Sequence, residues 1–329
     1  MYFCNSNAHR CNMDGNEVLN GLVVRTTGSW YNVLTDGGDT FACRLRGNFR
    51  IRGIKLTNPI AVGDRVAFHL LDDGTGMITS IGERRNCIIR RATKLSKQTH
   101  IIASNIDLLC VVATLGFPRT STGFIDRLLV TAEAYRIPAV VIFNKCDLYG
   151  TDPGLWQIHN EIKAIYERVG YPVYEVSALT GMGIDRIKQL IEGKVCLFSG
   201  HSGVGKSALL NAVDPSLHLK TGEVSEWSLK GRHTTTFAEI FPILQNTFLI
   251  DTPGIKEFGM VDFSPEELSH FFPEMRARLH DCRFANCTHR HEPGCAVKPA
   301  VENGEISAER YTNYLNILDS IESDEPIRR

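Results

Sequence analysis

The sequence predicts a chain of three parts: a small all-β barrel of the OB type, a doubly wound α/β domain with its motifs in permuted order, and a mostly helical, metal-binding tail. Three observations carry that expectation. Short apolar runs separated by turn residues fill the first part of the chain, where positive charge is concentrated. A phosphate-loop pattern and a base-reading pattern occur in the reverse of their usual order. Three cysteines and a histidine gather near the end with ligand-like spacing.

Residues 17–95 are expected to form the barrel. Runs at 21–25, 30–34, 41–46, 66–70 and 77–81 are punctuated by Gly28-Ser29, Asp36-Gly37-Gly38-Asp39, Gly63-Asp64 and Asp73-Gly74. Five short strands in a segment of this size suit a closed barrel, a shape that binds nucleic acid through a basic face with aromatic platforms. From Glu17 to His100 there are thirteen Lys and Arg against seven Asp and Glu, a net of +6, whereas Glu257 to Arg329 carries eight against fourteen, a net of −6. The whole chain, at −1, hides that asymmetry. A basic module points to an anionic partner, nucleic acid first, with a merely solvated basic surface as the alternative. Trp30, Tyr31, Phe41 and Phe49 are stacking platforms or core residues, and the pattern alone leaves both open. Residues 1–16 are polar and read as a disordered tail without the apolar core of a signal peptide. No apolar run reaches the roughly 18 residues needed to span a bilayer, so no membrane partner is expected.

From 96 to 260 strand and helix alternate. Apolar runs at 106–112, 139–143, 173–176, 194–198 and 247–250 are interleaved with helical patterns near 124–135, 155–169, 184–191 and 207–212. In such a sheet, ligand groups sit at the carboxyl ends of the strands. After the 194–198 strand comes Gly200-His201-Ser202-Gly203-Val204-Gly205-Lys206-Ser207, followed by Ala208 in the next helix. That spacing lets backbone N–H groups curl around a β-phosphate, with Lys206 reaching the β/γ oxygens and the Ser207 hydroxyl offered to Mg2+. Asn144-Lys145-Cys146-Asp147 ends the 139–143 strand, more than fifty residues earlier. The Asp147 carboxylate can accept from guanine N1–H and the exocyclic amine, whereas adenine N1 is itself an acceptor. Asn144 can tie that loop to its neighbours, and the Lys145 stem can lie along the base. Ser177-Ala178, ending the 173–176 strand, offers a backbone amide to the guanine carbonyl. Asp251, in Asp251-Thr252-Pro253-Gly254, closes another strand where it can hold Mg2+ through water, with the Gly254 N–H free for the γ-phosphate. Between the two lies Gly231-Arg232-His233-Thr234-Thr235-Thr236; any of the threonines could complete the Mg2+ shell, and Thr235 is the one expected. The cofactors implied are GTP or GDP and Mg2+. One domain can hold all these motifs only if its chain is circularly permuted.

The tail, 261–329, carries Cys282-x4-Cys287-x-His289-x5-Cys295. Three thiolates and an imidazole make a closed tetrahedral set for one structural zinc, with no position left for water. His280 and His291 are rival imidazoles at this stage. Tyr311, Tyr314, Leu315, Leu318 and Ile321 recur at helical spacing, as core packing or a partner groove. Of the ten cysteines, Cys110 and Cys196 lie inside apolar strands and Cys146 within the guanine-reading motif, which favours free thiols in a reducing cytosol.

Basic barrel, permuted nucleotide motifs and Cys-Cys-His-Cys tail together resemble the family of bacterial small-ribosomal-subunit-dependent GTPases, over about Glu17 to Ile321. The resemblance implies a cytoplasmic monomer that binds the small ribosomal subunit and its rRNA near the decoding region late in assembly. It also implies slow GTP hydrolysis until the subunit stimulates it, with departure of the protein and release of other assembly factors. The permuted order sends the chain from Gly254 straight toward the tail, a short covalent path for a switch movement.

Position 255 bears on rate. Many GTPases orient the attacking water with a glutamine just after the switch glycine, but Ile255 can neither donate nor accept. Slow intrinsic hydrolysis is expected, with Lys206 stabilising phosphate charge and His233 as the in-chain group for the water; a loop-stabilising or RNA-contacting His233 is the alternative. Besides a ribosome-activated GTPase, an RNA-binding module governed by nucleotide occupancy and a phosphotransferase fit parts of the pattern.

Overall fold

In the computed structural model, the residues described are 17–45, 59–91, 99–116, 118–151, 153–219, 238–251 and 264–324. They divide into two compact units. One takes in the chain up to Ile106 with 238–242 and 248–251; the other takes in 107–219, 243–247 and 264–324.

In the first unit, β1 (Leu19–Thr27), β2 (Trp30–Thr35), β3 (Thr40–Leu45), β4 (Arg65–Leu70) and β5 (Gly76–Ile81) follow the order β1-β2-β3-β5-β4, and β4 returns to pair with β1. All neighbours are antiparallel except β3 and β5, which are parallel. The barrel is therefore closed, as expected for an OB-type module. Its interior is filled by Val23, Tyr31, Val33, Cys43, Ile60, Val66, Phe68 and Ile78. Gly76 is required where β5 crosses that core, because a Cβ there would lie 2.4 Å from Cys43 Sγ. A bulge between Val23 and Arg25 bends β1, the strand that pairs with both β2 and β4 to close the barrel.

Tyr31 is core, and Phe41 packs against the same cluster, its ring 5.8 Å from that of Phe68. Trp30 stays half-buried on the outer surface, with the Arg44 guanidinium 3.8 Å above its ring. Phe49 lies outside the described residues. A hairpin of β6 (Cys87–Arg91) and β7 (Thr99–Ser104) follows, in addition to the five expected strands. It is fixed to the 59–64 segment by a buried cluster: Asp64 accepts from Arg84 Nε (2.7 Å), Ser104 Oγ (2.6 Å) and the Ala61 N–H (2.9 Å).

The second unit begins with a four-stranded parallel sheet. Its strands are β8 (Leu108–Ala113), β9 (Ala139–Phe143), β10 (Val173–Glu175) and β11 (Val195–Ser199), in the order β10-β9-β8-β11. Every residue of β8 and β11 is buried, as a parallel sheet covered by helices demands. The helices are α1 (Thr122–Ala134), α2 (Pro153–Val169), α3 (Ile184–Ile191) and α4 (Lys206–Val213). The strand leading to the phosphate loop is the last of the four in sequence, the signature of a permuted domain. Two further strands, β12 (Glu239–Ile243) and β13 (Thr247–Asp251), come later in the chain.

The tail contributes α5 (Pro273–Arg276), α6 (Val297–Glu302) and α7 (Ala308–Asp324), with single turns at Leu268–Phe271 and Leu279–Asp281. Tyr314 and Leu318 are core, and Tyr311, Leu315 and Ile321 pack against them. The helical stripe therefore builds a hydrophobic centre rather than a free groove. Val130 of α1 joins that same cluster, so α1 serves both the nucleotide domain and the tail. Among the described residues no helix is long and apolar enough to cross a membrane.

Candidate nucleotide site and metal centre

The phosphate loop leaves β11 at Gly200 and enters α4 at Lys206. A Cβ at Gly200 would meet the Val112 carbonyl oxygen at 2.2 Å, so only glycine lets the loop turn so close to β8. Gly205 caps α4 with φ 90°, and a Cβ there would strike Asn144 Nδ2 at 2.5 Å. Val204 is fully buried and anchors the loop. Ser202 and Gly203 are exposed at its tip, and Ser207 and Ala208 form the first turn of α4. Lys206 curls back, its Nζ donating to the carbonyls of Gly200 (2.7 Å) and His201 (2.8 Å). Burial lowers its pKa from the usual lysine value. A lysine held this way is desolvated and pre-aimed at the anion the loop would receive.

The guanine-reading segment is fastened to that loop. Asn144 donates from Nδ2 to the Val204 carbonyl (2.9 Å) and accepts at Oδ1 from the Ala178 N–H (3.1 Å), joining three motif segments through one side chain. Lys145, with φ 64°, reaches across to the Gly203 carbonyl (2.8 Å) and lays its stem beside the loop. The Ser177 hydroxyl donates to Asp147 Oδ1 at 2.5 Å, which orients the carboxylate. Ser177 Oγ also accepts from the Thr180 N–H at 3.1 Å, closing a rigid turn. Ten of the predicted positions, Asn144, Lys145, Asp147, Ser177, Ala178, Gly200, His201, Gly203, Val204 and Lys206, are linked in this way.

His201 takes a role that spacing did not indicate. Its ring stacks on Phe124 of α1, with centroids 3.6 Å apart and planes at 26°. Burial, with the nearby Lys206 charge, lowers its pKa from the histidine norm. Tyr149, also unanticipated, is buried beneath the guanine-reading loop, where its hydroxyl donates to the Asn144 carbonyl (3.5 Å) and accepts from the Leu115 N–H (3.4 Å).

Asp251 ends β13, and its side chain lies outside the described residues. His233, Thr235 and Gly254, with Ile255, also lie outside them.

In the tail, one donor atom each from Cys282, Cys287, His289 and Cys295 lies within 4.8 Å of all the others. His289 Nδ1 faces Cys282 Sγ at 3.7 Å and Cys295 Sγ at 3.4 Å, separations that suit ligands around one tetrahedral ion. His280 instead pairs with Asp281 at the surface, and neither it nor His291 joins the group. The organiser of the ligand loop is Glu292, which spacing rules do not flag. It accepts from the Thr288 N–H (2.7 Å) and hydroxyl (2.6 Å) and from the N–H groups of Arg290 and His291 (3.0 Å each). These contacts hold its carboxyl at about 2, against the opposing effect of burial.

Known proteins resemble this chain along most of its length. Residues 81–261 match the family described as RsgA GTPase, and residues 20–78 match that described as RsgA N-terminal domain. The small ribosomal subunit biogenesis GTPase RsgA of Bacteroides fragilis is 51% identical over 306 residues, covering 92% of this chain and 97% of its own. Its counterpart in Flavobacterium johnsoniae is 50% identical over 307 residues, covering 92% and 94%. Among solved structures, YjeQ from Thermotoga maritima aligns with a TM-score of 0.76 at 36% identity, over 94% of this chain and 100% of that one. YloQ, described as a circularly permuted GTPase, aligns at 0.74 and 29% identity, over 98% and 99%.

Proposed function

The chain belongs to the RsgA GTPase family, and from that premise we propose that this GTP-hydrolysing enzyme serves small-subunit biogenesis, binding the small ribosomal subunit and hydrolysing GTP fastest upon it. The observation that carries the nucleotide half of this reading is the pair of hydrogen bonds that ties Asn144 to Val204 and Ala178. It makes base recognition and phosphate binding one preorganised site. The relatives' names carry the ribosomal half.

In this reading Asp147 selects guanine, and backbone N–H groups from Gly203 to Ser207 cradle the β-phosphate. Lys206 leaves its two carbonyls for the phosphate oxygens and stabilises charge as the γ-phosphate departs. Ser207, Asp251 and Thr235 would hold Mg2+, which would neutralise phosphate charge when bound. His233 orients the attacking water in place of the aliphatic Ile255, and the Gly254 N–H meets the γ-phosphate. Cys282, Cys287, His289 and Cys295 hold one zinc whose role is to shape the tail. The basic barrel, with its Trp30–Arg44 pair outward, contributes contacts to rRNA. The protein acts as a cytoplasmic monomer, and hydrolysis accompanies its departure and the release of other assembly factors.

Multiple-turnover GTP hydrolysis, measured with and without purified small subunits, tests the reading. Strong stimulation by the subunit is expected. Equal rates in both conditions would instead favour an RNA-binding module governed by nucleotide occupancy.

A further inference from the structure

The stack of His201 on Phe124 has a consequence for nucleotide binding. His201 is the second residue of the phosphate loop, and its carbonyl is one of the two that hold Lys206. Phe124 lies in the first turn of α1, where the Ser121 side chain caps the helix by accepting from the Phe124 N–H at 3.3 Å. Pro118, just before that cap, lies against the loop tip: a Cβ on Gly203 would be 3.2 Å from its Cδ. The outer surface of the phosphate loop thus rests on α1 and the segment that leads into it.

α1 is in turn held by the tail. Asp126, two residues beyond Phe124, accepts from Arg310 Nη1 at 2.5 Å and from Asn313 Nδ2 at 2.7 Å. The same guanidinium donates through Nε to Glu274 Oε1 at 2.5 Å. Thr122 Oγ1 donates to Glu309 at 2.6 Å, and a Cβ on Gly123 would press on Asn313 Oδ1 at 3.2 Å, so α7 lies directly on the start of α1. A rigid helix clamped at one point by buried ionic contacts and touching the phosphate loop at another passes constraint between them.

We propose that Phe124 is a positioning residue for the phosphate loop, acting through its stack on His201, and that Glu274 and Arg310 of the tail set Phe124 through Asp126. This rests on the guanine-nucleotide reading of the site. The tail then contributes to nucleotide affinity without touching nucleotide. By linkage, whatever engages the tail and shifts α7 alters nucleotide affinity by the same factor that nucleotide alters its binding.

The test uses the full-length, zinc-loaded protein and a fluorescent GDP titration, with thermal melting of each variant to confirm folding. Phe124→Ala and His201→Ala should each weaken GDP binding about 2- to 10-fold, the range of one aromatic contact. Phe124→Tyr should restore wild-type affinity, which a general packing defect would not predict. The double variant should bind no more weakly than either single one, as expected for one shared interaction. Glu274→Gln should weaken GDP binding a few-fold in the wild-type background and leave it unchanged in Phe124→Ala. Unaltered GDP affinity in a folded Phe124→Ala protein, or fully additive losses in the double variant, would overturn the positioning role. Equal effects of Glu274→Gln in both backgrounds, or none in either, would overturn the link to the tail. A wild-type protein that bound no guanine nucleotide would instead sink the functional reading beneath it.

Discussion

Arg310 of α7 and Asp126 of α1 form an ion pair with both side chains closed to solvent, 1% and 0% exposed. Glu274 shares the guanidinium, so one arginine bridges two carboxylates from separate segments. Removing one partner of a buried pair leaves charge uncompensated, which costs more than the pair contributes. Arg310→Ala is expected to destabilise the protein by about 3–5 kcal/mol, read from denaturant unfolding of the tail. A loss below about 1 kcal/mol would show that water reaches and solvates the vacated carboxylates.

The same pair gives a pH dependence with a definite sign. Burial pushes the Asp126 carboxyl up to about 6, against the pull of Arg310 and the Asn313 amide. The unfolded chain titrates near 3.9, so between these values the folded state holds the extra proton. The contribution of this group is complete below about pH 4 and is lost as pH rises through about 6. Asp126→Asn removes the titration. The stability of wild type relative to this variant should fall by roughly 3 kcal/mol between pH 4 and pH 7. Parallel stability curves across that interval would contradict it.

Guanine selection can be separated from its support. The Ser177 hydroxyl holds Asp147 in place, so Ser177→Ala should weaken GDP binding modestly, by about 3- to 10-fold for one hydrogen bond, while ATP stays excluded. Asp147→Asn removes the acceptor itself and should cost a charged hydrogen bond, about 1.5–3 kcal/mol. Competition of ATP and GTP against labelled GDP checks both. If ATP competed as well as GTP against wild type, base selection would not reside here.

The metal set makes a fourth expectation. One zinc per chain should be measured, lost in Cys287→Ala and His289→Ala and kept in His291→Ala. Glu292→Ala should retain all four ligands but free the loop that presents His289, lowering zinc affinity about 10- to 100-fold in a chelator competition, as outer-shell substitutions do. Full zinc retention in His289→Ala would remove the imidazole from the set.

How much of this was readable from the chain depends on sequence distance. Asn144, Asp147 and the 200–207 loop sit in contiguous motifs whose residue types follow from phosphate and base chemistry, and the strands before them are marked by unbroken apolar runs. Asp126 and Arg310 are 184 residues apart, and nothing in either local pattern distinguishes a buried charge from a solvated one. The tail motif put His289 in the ligand set but left His280 and His291 as rivals, and spacing alone did not force the choice. It is made by backbone geometry, with His289 at φ 59° turned inward by the loop that Glu292 ties. Alternation on β2 placed Trp30 and Tyr31 on opposite faces, but which face was core depended on the closure of β4 onto β1. The Phe124–His201 stack joins a helix to a loop more than seventy residues later, and no period or motif announces it.

The last expectation concerns the hydrolytic step. Lys206 is already desolvated and held on two loop carbonyls, so its transfer to phosphate needs no long movement. Lys206→Ala should abolish turnover through lost phosphate binding and lost charge stabilisation together. His233→Ala should separate these effects. With Ile255 unable to position water, removing the imidazole should leave GTP affinity and subunit binding nearly intact while lowering subunit-stimulated turnover by about 10²–10⁴-fold, the span of a positioned catalytic side chain. A single-turnover assay at saturating subunits distinguishes a chemical defect from a binding one, because every enzyme molecule is then bound before hydrolysis begins. Wild-type stimulated rates in His233→Ala would assign the orientation of water to the ribosome, leaving this histidine a role in its loop or in RNA contact.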